Sequence, residues 1–232
     1  MVDFSYHKDF RYTHDNPYHD KLSEFSEFVF RDEEAEKFIG HWNQEVFKRD
    51  GPLCVEVGSG YGEFMMEYCE KNPGHNFVGL DYRFKRSYGL AKKLSDHPTK
   101  NFRYLRAKGE RLNYTFAENE IDTLFYFFPD PWPKKRHHKK RLFQEPFLKI
   151  ADSILKAGGI FYVKTDNDDY AQWMRDVLAA TNIFEVVMET KDLYAERPDH
   201  FLASFQTKFE KIFISQETKI KAFELHSKKE KK

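Results

Sequence analysis

Short apolar runs alternating with helix-period stretches predict an α/β fold: a mostly parallel sheet with an antiparallel edge. Three observations carry this reading. Strand-like runs recur roughly every 20–30 residues with amphipathic segments between them. A glycine cluster, Gly58-Ser59-Gly60-Tyr61-Gly62, follows the first strong run directly. The last two runs are joined by about twenty residues without a clear helix, too irregular for a parallel crossover.

In chain order, residues 1–50 lack a sustained period. Aromatics (Phe4, Tyr6, Phe10, Tyr12, Tyr18) are interleaved with polar residues, and a short helix is expected near Asp32–Phe47. This segment reads as a partly flexible arm. Gly51-Pro52 closes it, and residues 51–215 form the predicted catalytic domain. Leu53–Val57 is the first strand of that domain, and the glycine loop opens a helix carrying Phe64, Met65 and Tyr68. A second strand, Asn76–Leu80, ends at Asp81; Phe84, Tyr88, Ala91 and Leu94 then keep helical spacing. Further strands are expected at Phe102–Leu105, Thr123–Phe128 and Ile160–Val163. The helix through Phe147, Ile150, Ala151 and Ile154 stops at Gly158-Gly159, a glycine terminus. The next, from about Asp168, places Tyr170, Trp173, Met174, Val177 and Leu178 on one face. Phe184–Met188 and Phe209–Ile214 are the expected antiparallel pair, and residues 216–232 a basic tail.

The 232 residues suit one domain with extensions at about 100–200 residues per domain. No apolar run approaches the ~18–20 residues of a membrane span. Met1–Tyr6 shows neither a basic nor an apolar leader region. Cys54 and Cys69 alone suit neither a disulfide scaffold nor a zinc site, so a cytoplasmic protein without metal is expected. Formal charge is zero overall but uneven. Residues 1–50 hold twelve acidic and seven basic side chains, a net of −5, whereas Lys134–Arg141 carries +6 within eight residues. Six cations without one interposed acid fit phosphates better than a solvated helix face, and this points to nucleic acid.

Three constellations carry chemistry. In a parallel sheet, ligands sit at the carboxyl ends of the strands, where glycines admit a close approach. Gly58, Gly60 and Gly62 lie there, with Glu63 in place of a dinucleotide fingerprint's third glycine. Glu56 precedes the loop and Asp81 ends the second strand, where a carboxylate can accept both ribose hydroxyls. Two acids without a cradle of cations favour a cationic nucleoside such as S-adenosylmethionine over a pyrophosphate; two solvated strand-end acids would look the same. The second constellation is Phe128-Pro129-Asp130-Pro131-Trp132-Pro133, which stiffens one acid beside that pocket. The third pairs Lys164-Thr165-Asp166-Asn167 with Thr207-Lys208-Phe209-Glu210. There Asp166 or Asn167 could equally cap a helix, and Glu210 could be an exposed strand residue.

Together these motifs resemble the bacterial tRNA (guanine-N7)-methyltransferase family over residues 50–215. The resemblance implies a class I S-adenosylmethionine-dependent methyltransferase fold, a Rossmann-like, doubly wound sheet. It implies methylation of N7 on the variable-loop guanosine, nucleotide 46, of tRNA. By position it makes Glu56, Gly58, Gly60, Asp81, Lys108 and Asp130 cofactor residues, with Asp130 nearest the reacting centre. It makes Lys134, Asp166, Thr207, Lys208, Phe209 and Glu210 substrate contacts. Arg136, His137, His138, Lys139, Lys140 and Arg141 become the RNA-contacting run. One departure stands at Arg106-Ala107-Lys108-Gly109-Glu110, where Lys108 replaces an acid near the adenine. Adenine contact then falls to backbone or to Glu110. Competing readings are an NAD-linked oxidoreductase, from the glycine loop and Asp81, and a non-catalytic RNA-binding module, from the basic run. A monomer and a homodimer are both compatible with the sequence.

Overall fold

Residues 16–230 are described by the structure, a computed structural model. Among the described residues, eight strands form one sheet: β1 (Val29–Arg31), β2 (Leu53–Val57), β3 (Asn76–Asp81), β4 (Phe102–Arg106), β5 (Ile121–Phe127), β6 (Leu155–Thr165), β7 (Phe184–Thr190) and β8 (Lys221–Ser227). Their order is β1-β4-β3-β2-β5-β6-β8-β7. β1 to β6 run parallel, and β8 is antiparallel to both β6 and β7. The α-helices that accompany them within the described residues are α1 (Pro17–Lys21), α2 (Asp32–Ala35), α3 (Glu63–Lys71), α4 (Phe84–Ser95), α5 (Glu145–Ile154), α6 (Asp168–Thr181), α7 (Leu193–Glu196) and α8 (Lys208–Ser215).

The two-residue period of the strands sorts side chains between two cores. On β2, Leu53, Val55 and Val57 face the layer with Phe147, Leu148, Tyr170 and Met174 of α5 and α6. Cys54 faces the opposite layer with Phe64, Met65, Leu90 and Leu94 of α3 and α4. Glu56 shares Cys54's parity, so a carboxylate stands where the pattern would place an apolar residue. β2 is flanked by β3 on one side and β5 on the other, and the strand order reverses there. Such a switch point leaves a crevice above the carboxyl ends of the strands.

Four expectations change. α5 ends at Ile154, where Leu155 already turns to extended backbone, and Gly158-Gly159 lie inside β6 rather than ending the helix. Phe209–Ile214 is not a strand but most of α8. Thr207 accepts from the Glu210 amide and Glu210 accepts from the Thr207 amide, a capping box that starts a helix in a short, mostly apolar run. The antiparallel partner of β7 is therefore β8, which lies within the stretch expected to be a basic tail. Lys221-Ala222-Phe223-Glu224-Leu225 buries Ala222, Phe223 and Leu225, and this apolar content inserts the segment between β6 and β7. The helix expected over Asp32–Phe47 is three short turns: α2, a 3₁₀ turn at Glu36–Phe38 and a π-helical turn at Trp42–Phe47.

The described part of the arm is fastened to the domain. β1 pairs with β4, Tyr18 meets Tyr88 at 5.7 Å, and buried Trp42 stacks on Phe116 at 5.3 Å. The Trp42 indole N–H donates to the Thr115 carbonyl at 2.7 Å. Phe4, Tyr6, Phe10 and Tyr12 lie outside the described residues.

Candidate active site

The glycine loop folds over the end of β3. The amides of Gly58 and Ser59 both donate to the Leu80 carbonyl, at 2.7 and 2.9 Å. Gly58 (φ +83°) and Gly62 (φ +71°) occupy the left-handed region that glycine adopts without strain. A Cβ on Gly62 would stand 2.7 Å from Leu90 Cδ1. One on Gly58 would meet nothing within 4 Å, because two cavities open beside that residue. Glu63, in the fingerprint's glycine position, accepts from the Lys208 amide at 2.8 Å and so ties this loop to α8.

The larger cavity, about 360 Å³, is lined by Gly58, Asp81, Lys108 and Asp130 among the expected residues. The smaller, about 120 Å³, takes Glu56, Gly58, Gly60, Thr207 and Phe209. Gly58, Arg86, Phe127 and Phe128 border both, so the two are neighbouring lobes of one crevice. Lys134, Asp166, Lys208 and Glu210 line neither.

Glu56 is 4 % exposed, and its Oε2 has no hydrogen-bond partner. Burial pushes its carboxyl up to about 8, against the pull of the Lys164 ammonium and with a further push from Asp81. Asp81 accepts from the Arg83 amide and from Arg86 Nη1, both at 3.0 Å. A carboxylate offers about four lone-pair sites, so two remain for a ligand. Arg83, Arg86, Lys108 and Lys140 also line the larger cavity. The expectation of acids without cationic neighbours is thus corrected: spacing along the chain hides cations brought in by α4 and by the basic run.

Asp130 stands on a strained loop. Phe128 (φ +49°) and Trp132 (φ +47°) both adopt left-handed backbone, which costs a bulky residue about 1–3 kcal/mol. Between them Pro129 and Pro131 fix the flanks of Asp130. The Asp130 carboxylate is 61 % exposed and lies 3.4 Å from Arg83 Nη2.

The basic run forms a 3₁₀ turn over Lys135–Lys140 beside this loop. Lys134, Lys135, Arg136, Lys139 and Lys140 are exposed, and His137 and His138 are half-buried. Lys140 Nζ lies 4.5 Å from the Trp132 ring centroid. Arg141 departs from expectation: it is 1 % exposed and turned inward, away from any RNA. An acid distant in sequence, Asp169, pairs with it.

Glu210 is likewise corrected as a substrate contact. It is fully buried, with both oxygens on Lys164 Nζ at 2.8 and 2.7 Å, and it also accepts from the Tyr194 hydroxyl at 2.7 Å. Its office is to seat the Thr207–Phe209 turn at the crevice. Asp166 is half-buried, and burial raises its carboxyl. Sequence reasoning named Lys164 within the third constellation without giving it a role, and it did not single out Arg86 or Asp169 for the site. Lys164 carried a signal, a lysine ending an apolar strand; Arg86 and Asp169 carried none.

Among the described residues there is no group of three or more His, Cys, Asp or Glu able to hold a metal, and no helix long and apolar enough to cross a membrane.

A family model described as "Putative methyltransferase" matches residues 50–223. The chain belongs to this family. The match takes in the glycine loop, the Pro-Asp-Pro loop, the basic run and the Thr-Lys-Phe-Glu segment. A tRNA (guanine-N(7)-)-methyltransferase of Geobacillus thermodenitrificans is 32 % identical over 87 % of this chain and 90 % of its own length. One from Enterococcus faecalis is 34 % identical over 86 % and 90 %. A bifunctional glycosyltransferase/methyltransferase of Fusobacterium nucleatum is 34 % identical over 88 % of this chain, which spans 31 % of that longer protein. Among solved structures, the 16S rRNA methyltransferase KamB aligns with a TM-score of 0.56 at 17 % identity, covering 76 % of this chain and 87 % of its own. The 16S rRNA (adenine(1408)-N(1))-methyltransferase of Catenulisporales acidiphilia gives 0.52 at 13 %, over 94 % and 95 %. These likenesses bear out the class I methyltransferase architecture.

Proposed function

We propose that this protein methylates N7 of a tRNA guanosine, the variable-loop nucleotide 46, using S-adenosylmethionine. One observation carries the reading: Asp130, held on a strained loop, lies between a crevice containing an unpartnered buried carboxylate and an exposed run of cations. The relatives with which the chain shares its length are named for this reaction. A buried acid beside Gly58 gains a counter-charge from a cationic nucleoside when it ionises and none from a pyrophosphate, which counts against a nicotinamide dinucleotide. A purely RNA-binding module would leave both Glu56 and the loop strain without a use. A tRNA substrate supports a cytoplasmic reaction, and free, buried Cys54 and Cys69 suit a reducing compartment.

The crevice fits the cofactor. Glu56 Oε2 would accept from its amino group, Asp81 from its ribose hydroxyls, and the Gly58 backbone would lie against it. Bound there, S-adenosylmethionine supplies a sulfonium methyl, which passes to N7 as the C–S bond breaks and the positive charge moves to the purine. Asp130, in the lining of the adjoining larger lobe, would face that charge, and Thr207 and Phe209 border the smaller lobe, where a base taken out of its stack would enter. The deciding experiment is mass spectrometry of nucleosides from unmodified tRNA incubated with protein and labelled S-adenosylmethionine. It should yield labelled 7-methylguanosine; a different methylated nucleoside, or none, refutes the reading.

Two further outcomes are expected. Below about pH 8 the free protein holds a proton on Glu56. A cationic ligand favours the ionised carboxylate, so binding near pH 7 should release up to one proton. Affinity should strengthen by up to about tenfold per pH unit between pH 6 and 7.5. Calorimetry in buffers of different ionisation enthalpy reads the proton directly. Glu56→Gln should abolish the release, and a wild-type signal independent of buffer would contradict it. Secondly, replacing Lys135, Arg136 and Lys139 by alanine should weaken tRNA binding and reduce the log–log salt slope by roughly 2–3, at about 0.7–0.9 per phosphate. Cofactor affinity should stay unchanged; an unaltered slope would show that the run does not meet phosphates.

A further inference from the structure

The basic run ends in a residue that behaves unlike the rest. Arg141 Nε donates to the Pro131 carbonyl at 2.8 Å, inside the Pro-Asp-Pro loop. Its Nη2 pairs with the Asp169 carboxylate in the first turn of α6. The guanidinium carbon lies 4.8 Å from the Tyr170 ring centroid and 5.2 Å from that of Trp173. The following residues are fastened to the same helix: the Phe143 amide donates to the Tyr170 hydroxyl at 3.3 Å, and the Trp173 indole donates to the Phe143 carbonyl at 2.8 Å. A planar fork is suited to bridging two acceptors in fixed directions, which an ammonium cannot do.

We infer that Arg141 and Asp169 are positioning residues that hold the Asp130 loop against α6 in its strained, productive geometry. The left-handed Phe128 and Trp132 would relax if the loop were free. Beside the weak, exposed Arg83–Asp130 pair, the buried Arg141 bond joins the interior of that loop, at Pro131, to a neighbouring helix. The exposed cations bind and the buried one orients, so one eight-residue segment has two separate tasks. Misplacement of a reacting group by about 1 Å can cost on the order of 100-fold in rate.

The inference rests on the methyltransfer reading, and its test separates the two. Single-turnover methylation, tRNA affinity with its salt slope, cofactor affinity and melting temperature are measured for wild type, Arg141→Lys, Arg141→Met and Asp169→Asn. Wild-type protein that does not methylate tRNA sinks the functional reading itself. With an active wild type, kcat is expected to fall about 10- to 100-fold in Arg141→Met, less in Arg141→Lys, and several-fold in Asp169→Asn. KM for tRNA, the salt slope and cofactor affinity should stay within about twofold. Because Arg141 is buried, its variants risk misfolding. Asp169, 64 % exposed, carries no such risk, and its variant decides the matter alone if they fail. A flattened salt slope with kcat intact would make Arg141 an RNA contact. A lowered melting temperature with kcat intact in Asp169→Asn would make the pair merely structural. Either outcome overturns the inference.

Discussion

Replacing Lys164 by methionine should cost about 3–5 kcal/mol of folding stability, the range for stranding one charge of a buried pair. Lys164 and Glu210 are both fully buried, and the ammonium also donates to the Phe205 carbonyl at 2.9 Å and the Leu202 carbonyl at 3.3 Å. Without it, Glu210 keeps the Tyr194 hydroxyl and the Thr207 amide but loses its counter-charge, and two carbonyls lose a donor. Urea denaturation reads the difference. The double variant Lys164→Met with Glu210→Met should recover part of the loss, since apolar replacement of both partners is often tolerated. Recovery stays incomplete because the carbonyls of Leu202 and Phe205 still lack a donor. A loss below about 1 kcal/mol in the single variant would show that the pair is not dry. There is a second consequence at a distance. Lys164 pulls the Glu56 carboxyl down, so its removal should raise Glu56 further and weaken cofactor binding at neutral pH.

Most of what positions the crevice was readable because it depends on local signals. Leu53–Val57 followed at once by Gly58, and Asn76–Leu80 ending at Asp81, announce strands with acids at their carboxyl ends. The Pro-Asp-Pro triplet announces a rigid loop. The errors come where a long-range or capping interaction overrode a local pattern. Phe209-Glu210-Lys211-Ile212-Phe213-Ile214 reads as a short apolar strand, yet Phe209, Ile212 and Phe213 stand at helical spacing, and the Thr207–Glu210 capping box and the burial of Glu210 on Lys164 make it helical. Lys221–Ser227 reads as part of a solvated tail because the basic run of residues 228–232 follows it; the sheet supplies partners for Lys221, whose ammonium reaches the Asp166 carbonyl at 3.0 Å and the Asp168 carboxylate at 2.8 Å. Arg141 is last in a run of like charges, and Asp169, 28 residues on, turns it inward. A charge count along the chain cannot register a partner that only the fold supplies.

At the reacting centre, the single-turnover rate at saturating cofactor and tRNA should stay nearly flat from about pH 6.5 to 9, above the usual carboxylate range near 4. Guanine N7 carries an unprotonated lone pair, so no side chain has to remove a proton from it. Saturation matters because Glu56 titrates near 8 and would otherwise impose the pH dependence of binding on the rate. A rate climbing with pH towards a plateau would mean a base is required and would exclude N7 attack as the limiting step. Asp130→Asn keeps the side chain's shape and removes the charge that we propose faces the developing purine cation. Preorganised groups of this kind are typically worth ~10²–10³ in rate. Arg83, 3.4 Å away and half exposed, loses a weak surface partner only, so the variant should fold normally and bind both substrates. Its loss should therefore appear in kcat. The acceptor atom is tested directly by tRNA carrying 7-deazaguanosine at the target, where a C–H replaces N7. This tRNA should bind like the natural one and remain unmethylated. Methyl transfer to the deaza nucleotide would place the acceptor elsewhere on the base or ribose, and Asp130 would then need a different task from stabilising an N7 cation.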